Sequence, residues 1–230
     1  MVEEQVVSED PNKLNPKKLA FDALYGAVKG VSGLFFKAFM NLKIEGKENI
    51  PVRGKAILTT VAKDIIRDML IISQVSGRKI HFMIDPKMMK HQILGPILKS
   101  LGMIRGTESK DDNEPIEKIF DILNNKGDLV AMTPEGKRDR EIQVKSMAAI
   151  IKFAIATDSP IIPIAISMEK AKILNMFRGD AIKISVGSPL RVEKRLNREK
   201  YRSERYELAE DIIKIIDKLG ETLEFEEIEL

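Results

Sequence analysis

The sequence predicts one α/β domain: a largely parallel, mixed sheet flanked by helices, preceded by an N-terminal amphipathic helical segment. Three observations carry this. Short, continuous apolar runs alternate with helix-period stretches through most of the chain, which marks strands buried on both faces and joined by helical crossovers. The 230 residues include 43% hydrophobic side chains, enough for one large core. Between residues 45 and 195 there is no linker and no internal repeat.

Element by element, residues 1–17 are polar, carry Pro11 and Pro16, and read as a loose arm. Over 18–43 apolar residues recur at three- and four-residue steps (Phe21, Leu24, Tyr25, Val28, Val31, Phe35, Phe39, Leu42), which predicts one helical face. Lys29, Lys37 and Lys43 flank it, so two readings stay open: an anchor lying in a membrane interface, or a helix packed on the protein's own core. No uninterrupted apolar run reaches about 18 residues, so no bilayer-spanning helix is expected. The α/β domain proper is expected over 44–220. Its strands are 56–60, 79–84, 103–105, 129–132, 160–166 and 181–186. Its helices are 64–75, 86–101, 114–125, 144–156 and 197–219, the last with Leu208, Ile212, Ile215, Ile216 and Leu219 inward. Residues 221–230 form an acidic tail.

Composition narrows the chemistry. The chain has no cysteine, which removes disulfides, thiol catalysis and Cys-based metal sites, and only two histidines, which removes a His-rich metal site. A net charge of +3, 5% aromatic residues and no tryptophan argue against a dedicated nucleic-acid binder. The opening Met1-Val2-Glu3-Glu4 lacks the basic n-region of a secretory signal. A cytoplasmic location at the inner face of a membrane is expected.

In open α/β sheets the loops after the strands' carboxyl ends build the site. Two such loops stand out: Val61-Ala62-Lys63-Asp64-Ile65-Ile66-Arg67-Asp68, and Thr133-Pro134-Glu135-Gly136-Lys137-Arg138-Asp139-Arg140. In the second, Lys137, Arg138 and Arg140 beside a glycine suit phosphate oxygens, though spacing alone favours a charged, solvated turn, since Pro-Glu-Gly turns are common.

Those loops sit in an ordered set of motifs. Pro134-Glu135-Gly136-Lys137-Arg138 after an apolar strand resembles the third motif of the glycerophospholipid acyltransferase family, whose best-known members acylate lysophosphatidic acid. Ile44-Glu45-Gly46-Lys47-Glu48-Asn49-Ile50-Pro51 resembles the family's segment ahead of the first core strand. Leu101-Gly102-Met103-Ile104 resembles the approach to the second motif, and Ile162-Pro163-Ile164-Ala165-Ile166 the fourth. The likeness spans about residues 19–190.

The resemblance implies acyl transfer from a thioester, acyl-CoA or acyl-carrier protein, to the hydroxyl of a lysophospholipid at a peripheral membrane surface, with no metal or bound cofactor. It places Asp68 at the family's motif Asp, and Lys63 where the family has the His that acts as general base. It also implies that Glu135, Gly136 and Arg138, with Lys137, contact the acceptor phosphate, and that Lys145 is the basic residue following. The second motif's arginine lies beyond Gly-x-Ile in the family. Here Gly106-Thr107-Glu108 occupies that stretch and Arg105 is the nearest arginine.

An ordinary lysine, with a pKa of about 10.4, is protonated at neutral pH, and Asp64 and Asp68 favour that charge, so a Lys63–Asp68 ion pair is expected. A catalytically lapsed relative that binds phospholipid or another phosphate-bearing ligand is the alternative. His81, inside a strand, is expected to be a satisfied core histidine, and His91 to be exposed.

Overall fold

The computed structural model describes residues 16–61, 64–109, 111–134, 139–169 and 181–225. The sheet contains seven strands: β1 (Lys43–Glu45), β2 (Ala56–Thr59), β3 (Ile80–Ile84), β4 (Ile104–Arg105), β5 (Leu129–Met132), β6 (Ile161–Glu169) and β7 (Ala181–Val186). Their order is β1-β7-β6-β2-β5-β3-β4. The five strands from β6 to β4 are parallel. β7 joins β6 antiparallel, and β1 follows β7. The expected parallel, mixed sheet is therefore present, and β1 is an addition that periodicity alone misses. Only Ile44 of its three residues is even half-buried, so it carries no apolar run.

Each central strand is buried on both faces and alternates its side chains between two cores. Leu58, Ile80, Phe82 and Leu129 pack on one side, and Ile57, Val130 and Met132 on the other. Helices α1 (Pro16–Phe39), α2 (Ile65–Ile72), α3 (Pro86–Met89) and α4 (Leu94–Ser100) cover the first face through Tyr25, Phe36, Ile71, Met89 and Leu98. Helices α5 (Glu114–Phe120), α6 (Arg140–Thr157) and α7 (Arg202–Phe225) cover the second through Ile119, Met147, Ile151 and Ile212.

Three boundaries differ from the sequence expectation for identifiable reasons. The helix expected over 86–101 is two helices, because a Pro96 ring in a continuous helix would collide with the carbonyl of Gln92. Gly95 lies so close to Met89 that a Cβ would stand 2.3 Å from its carbonyl oxygen. Helix α6 begins at Arg140, four residues early, with Asp139 capping it by accepting the Ile142 N–H at 3.1 Å. Helix α7 starts at Arg202 after two 3-10 turns and runs through Phe225, so half of the expected acidic tail is helical. Residues 1–15 of the expected arm and 226–230 of the tail lie outside the described residues.

Helix α1 corrects two expectations. Over Leu19–Phe39 it is 21 residues long and apolar enough, by length and composition, to cross a bilayer. Asp22, Lys29 and Lys37 break its apolar run into shorter pieces while the mean over the helix stays apolar, which is why counting uninterrupted residues misses it. Its inward stripe is also rotated from the expected one. Tyr25 and Phe36 are buried, whereas Leu24, Val31, Leu34, Phe35 and Phe39 are exposed. The helix is apolar nearly all round, so one face packs on the core and the other remains open.

Polar ties hold α1 along the domain. Lys79 and Asp22 pair at 2.7 Å, Tyr25 Oη accepts the Ile80 N–H at 3.1 Å, and Lys29 Nζ donates to the Ser76 carbonyl. Gln74 Nε2 donates to the Lys29 carbonyl at 3.2 Å. Close approach at Gly33 makes this possible, since a Cβ there would meet Gln74 Oε1 at 2.6 Å.

Candidate functional site

β2 and β5 are adjacent and parallel, with Thr59 opposite Met132. The chain therefore leaves both strands side by side at one rim, about 4.8 Å apart. Helices α2 and α6 begin just beyond, with Asp64 and Asp139 as N-caps, so the positive ends of two helix dipoles face this rim. The described residues on either side of the two candidate loops, Val61 and Asp64 and Pro134 and Asp139, belong to these neighbouring strand ends and helix starts. Lys63, Glu135, Gly136, Lys137 and Arg138 lie outside the described residues.

Asp68 sits on the first turn of α2 and is 4% exposed. Its Oδ2 accepts the Asp64 N–H at 2.9 Å, while Oδ1 accepts Nε and Nη2 of Arg67 at 3.1 and 3.0 Å. Asp64 in turn accepts the Arg67 N–H at 3.1 Å. A buried carboxylate needs such donors, and these fix its rotamer. Arg67 is a component that the sequence reading misses. Neighbours at i and i+1 do not normally face each other on a helix, so no spacing rule flags the pair.

The other expected phosphate ligands separate. Lys145 is exposed on the second turn of α6. Arg140 does not join a rim cluster: its guanidinium turns to α7, meeting Glu210 at 3.2 Å and Asp217 at 3.1 Å. Arg105 ends β4, three strand positions from β2, or about 14 Å away. It is held by Asp112 at 2.6 and 3.0 Å, Glu114 at 2.9 Å and Glu108 at 3.1 Å. Asp112, and after it Glu114, raise the pKa of Arg105 further, and Arg105 lowers that of Asp112. Bonding to Lys90 lowers that of Glu108.

His81 matches the expected core role, buried in β3 with Nδ1 2.9 Å from the Gly102 carbonyl. Burial, more than its charged neighbours, pushes its pKa below the usual imidazole value. His91 is exposed, and its Nδ1 accepts the N–H groups of Ile93 and Leu94 at 3.3 and 3.2 Å.

An apolar cleft of about 870 Å³ adjoins Asp64 and Arg67, the two residues bonded to Asp68. Its walls are Ala27, Val28, Val31 and Phe35 of α1 and Ile66 and Leu70 of α2, with Asp64 and Arg67 at one end. Its orientation follows from two bonds. Tyr25 meets Ile80 where the parallel strands begin, and the Met40 carbonyl accepts the Ile182 N–H at 2.9 Å, beside the end of β6. Helix α1 therefore runs toward the rim while α2 runs away from it, and the cleft descends from Phe35 and Asp64 to Ala27 and Leu70. From Ala27 to Phe35 is eight residues of helix, about 12 Å.

A buried carboxylate at a parallel-sheet rim, beside a cleft shaped for an aliphatic chain, fits a family defined by acyl chemistry. Residues 41–167, more than half of the chain, match the Acyltransferase family, and the chain belongs to it. Its fold is similar to that of the 1-acyl-sn-glycerophosphate (LPA) acyltransferase PlsC from Thermotoga maritima, with a TM-score of 0.63 over 92% of this chain and 84% of that one at 15% identity. Among curated proteins no significant match is found.

Proposed function

We propose that this chain transfers a fatty acyl group from a thioester, acyl-CoA or acyl-carrier protein, to the hydroxyl of a lysophospholipid such as lysophosphatidic acid. The observation that carries the reading is the cleft between α1 and α2: its walls are apolar apart from Ser32, whose hydroxyl is bonded to Lys29 and Gln74, and its charged groups, Asp64 and Arg67, meet the rim. An acyl chain lying in it brings its carbonyl carbon to that rim, next to the loops after β2 and β5. Binding both substrates there turns a bimolecular encounter into an oriented one. The acceptor oxygen attacks the thioester carbonyl, its proton passes to a base, and the thiol leaves with a proton.

Lys63 stands where the family's resemblance requires that base, and it accepts a proton only as the neutral amine. Lys137, Arg138 and Lys145 are the candidate phosphate ligands, with Glu135 and Gly136 shaping the turn. Arg105 is a poorer one, because three carboxylates already engage it. Thioester aminolysis and alcoholysis need no metal or bound cofactor. The exposed face of α1 supports a peripheral position on a membrane, from which both lipids reach the cleft, and the expected side is the cytoplasmic one.

One observation favours a second reading, a lapsed relative that binds phospholipid without chemistry. Asp68, the family's partner to the base, has its Oδ1 engaged by Arg67, and the base position holds a lysine. Thiol release from long-chain acyl-CoA in the presence of lysophosphatidic acid separates the two, measured for wild type, Lys63→Ala and Lys63→His. Wild-type turnover that rises toward alkaline pH and disappears in Lys63→Ala supports catalysis by the neutral amine. Silence in wild type with activity gained in Lys63→His establishes the lapsed reading.

A further inference from the structure

We propose that the connection between α3 and α4 is a second insertion point for an anionic lipid bilayer, acting beside α1. This rests on the membrane-surface reading above and extends it to a region that the reading does not use. Helices α1 to α4 all cover the same sheet face, and the inner sides of α3 and α4 anchor through Met89 and Leu98 to the core that holds Tyr25 and Phe36. The tip between them turns three aliphatic side chains to solvent: Ile93 is 71% exposed, Ile97 45% and Leu94 36%. Such a tip matches the exposed Val31 and Leu34 of α1 on the same layer.

The backbone of the tip is built to leave water. His91 Nδ1 accepts the N–H groups of both Ile93 and Leu94, the His91 carbonyl accepts the Gly95 N–H at 2.8 Å, and Pro96 has no N–H. Every backbone donor from 93 to 96 is thus satisfied or absent, which lowers the cost of placing these residues at the acyl boundary. Lys87 and Lys99 are exposed on the two helices that carry the tip, and these cations beside an apolar point complement anionic headgroups, while Lys90 is paired with Glu108. Three aliphatic side chains fall well short of the roughly 800 Å² per partner of a stable protein interface, so a second copy is the weaker occupant.

The chain has no tryptophan, so single tryptophans report depth without background. Three full-length variants are compared: Ile93→Trp at the tip, Leu34→Trp on α1, and Ile215→Trp on the opposite face. They are mixed with phosphatidylcholine vesicles containing phosphatidylglycerol, and emission and quenching by brominated acyl chains are recorded. The expected result is a blue shift and quenching at 93 and 34 and neither at 215. A double Ile93→Ser, Ile97→Ser variant is expected to partition on the order of tenfold less, with an unchanged circular-dichroism spectrum.

A silent tryptophan at 93 with a responsive one at 34 overturns the second contact and leaves the α1 reading intact. Silence at both positions overturns both. A shift at 93 that grows with protein concentration without vesicles assigns the tip to a second copy and overturns the proposal. Equal binding to pure phosphatidylcholine overturns the anionic preference.

Discussion

If the cleft holds the acyl chain, closing its far end must shorten the chain that the enzyme accepts. Ala27 is the suitable position, because it lines the end remote from Asp64 and is exposed, so a larger side chain disturbs no core packing. Phenylalanine at 27 blocks the last turn of helix along the cleft, about 5.4 Å, which is the room of about four methylene groups. At about 0.8 kcal/mol for each methylene returned to water, the longest chains lose about 3 kcal/mol. That corresponds to a fall of roughly 150-fold in kcat/KM. Short chains, which never reach Ala27, lose nothing. The assay is thiol release by Ala27→Phe and wild type across a series from butyryl- to stearoyl-CoA at fixed acceptor. A loss confined to the long members is the predicted outcome. A uniform loss at every length, or none at any, refutes the placement of the acyl chain between α1 and α2.

Other outcomes follow from the same geometry. Arg67→Ala removes the fork that orients Asp68, so kcat should fall about tenfold, and urea stability should fall by about 1–3 kcal/mol because the Asp68 carboxylate, 5% exposed, loses two donors. Lysine at 67 should rescue little, lacking the planar fork. Ile151→Ala opens a void on the α6 side of the sheet, where the residue is fully buried, and should cost about 2–5 kcal/mol in chemical denaturation. His81 gives a pH signature. Burial lowers its folded pKa, so the unfolded chain binds more protons. The stability it contributes is full above the unfolded value of about 6.5 and declines as pH falls from there toward the folded value. Denaturation midpoints measured across that window should drop toward acid, and His81→Gln should flatten the slope.

What the sequence made legible was what rests on period and order. Continuous, β-branched runs such as Ile161-Ile162-Pro163-Ile164 between turn signals read as strands covered on both faces, and the alternation of runs and helices pointed to the parallel sense that holds from β6 to β4. The shared rim followed from topology, since loops after parallel neighbours leave from one edge. The phase of α1 was not legible: with apolar residues on nearly every side, the stripe that meets the core is chosen by partners such as Gln74 and Ile80, far away in sequence. Commitments of charged side chains were equally hidden. Arg140 looked like part of a phosphate cluster yet pairs with Glu210 and Asp217, 70 and 77 residues on. Arg67 looked ordinary and holds Asp68. Charge at short range in sequence states what a residue can bind, and only the fold states what it has bound already.

The most direct test of acyl transfer follows the acyl group itself. Purified full-length chain is incubated with isotopically labelled oleoyl-CoA and lysophosphatidic acid in vesicles, and the lipids are resolved by mass spectrometry. The account predicts labelled phosphatidic acid, formed in step with free thiol and only when the acceptor is present. Vesicle-bound protein that leaves both the label and the thioester intact would contradict it.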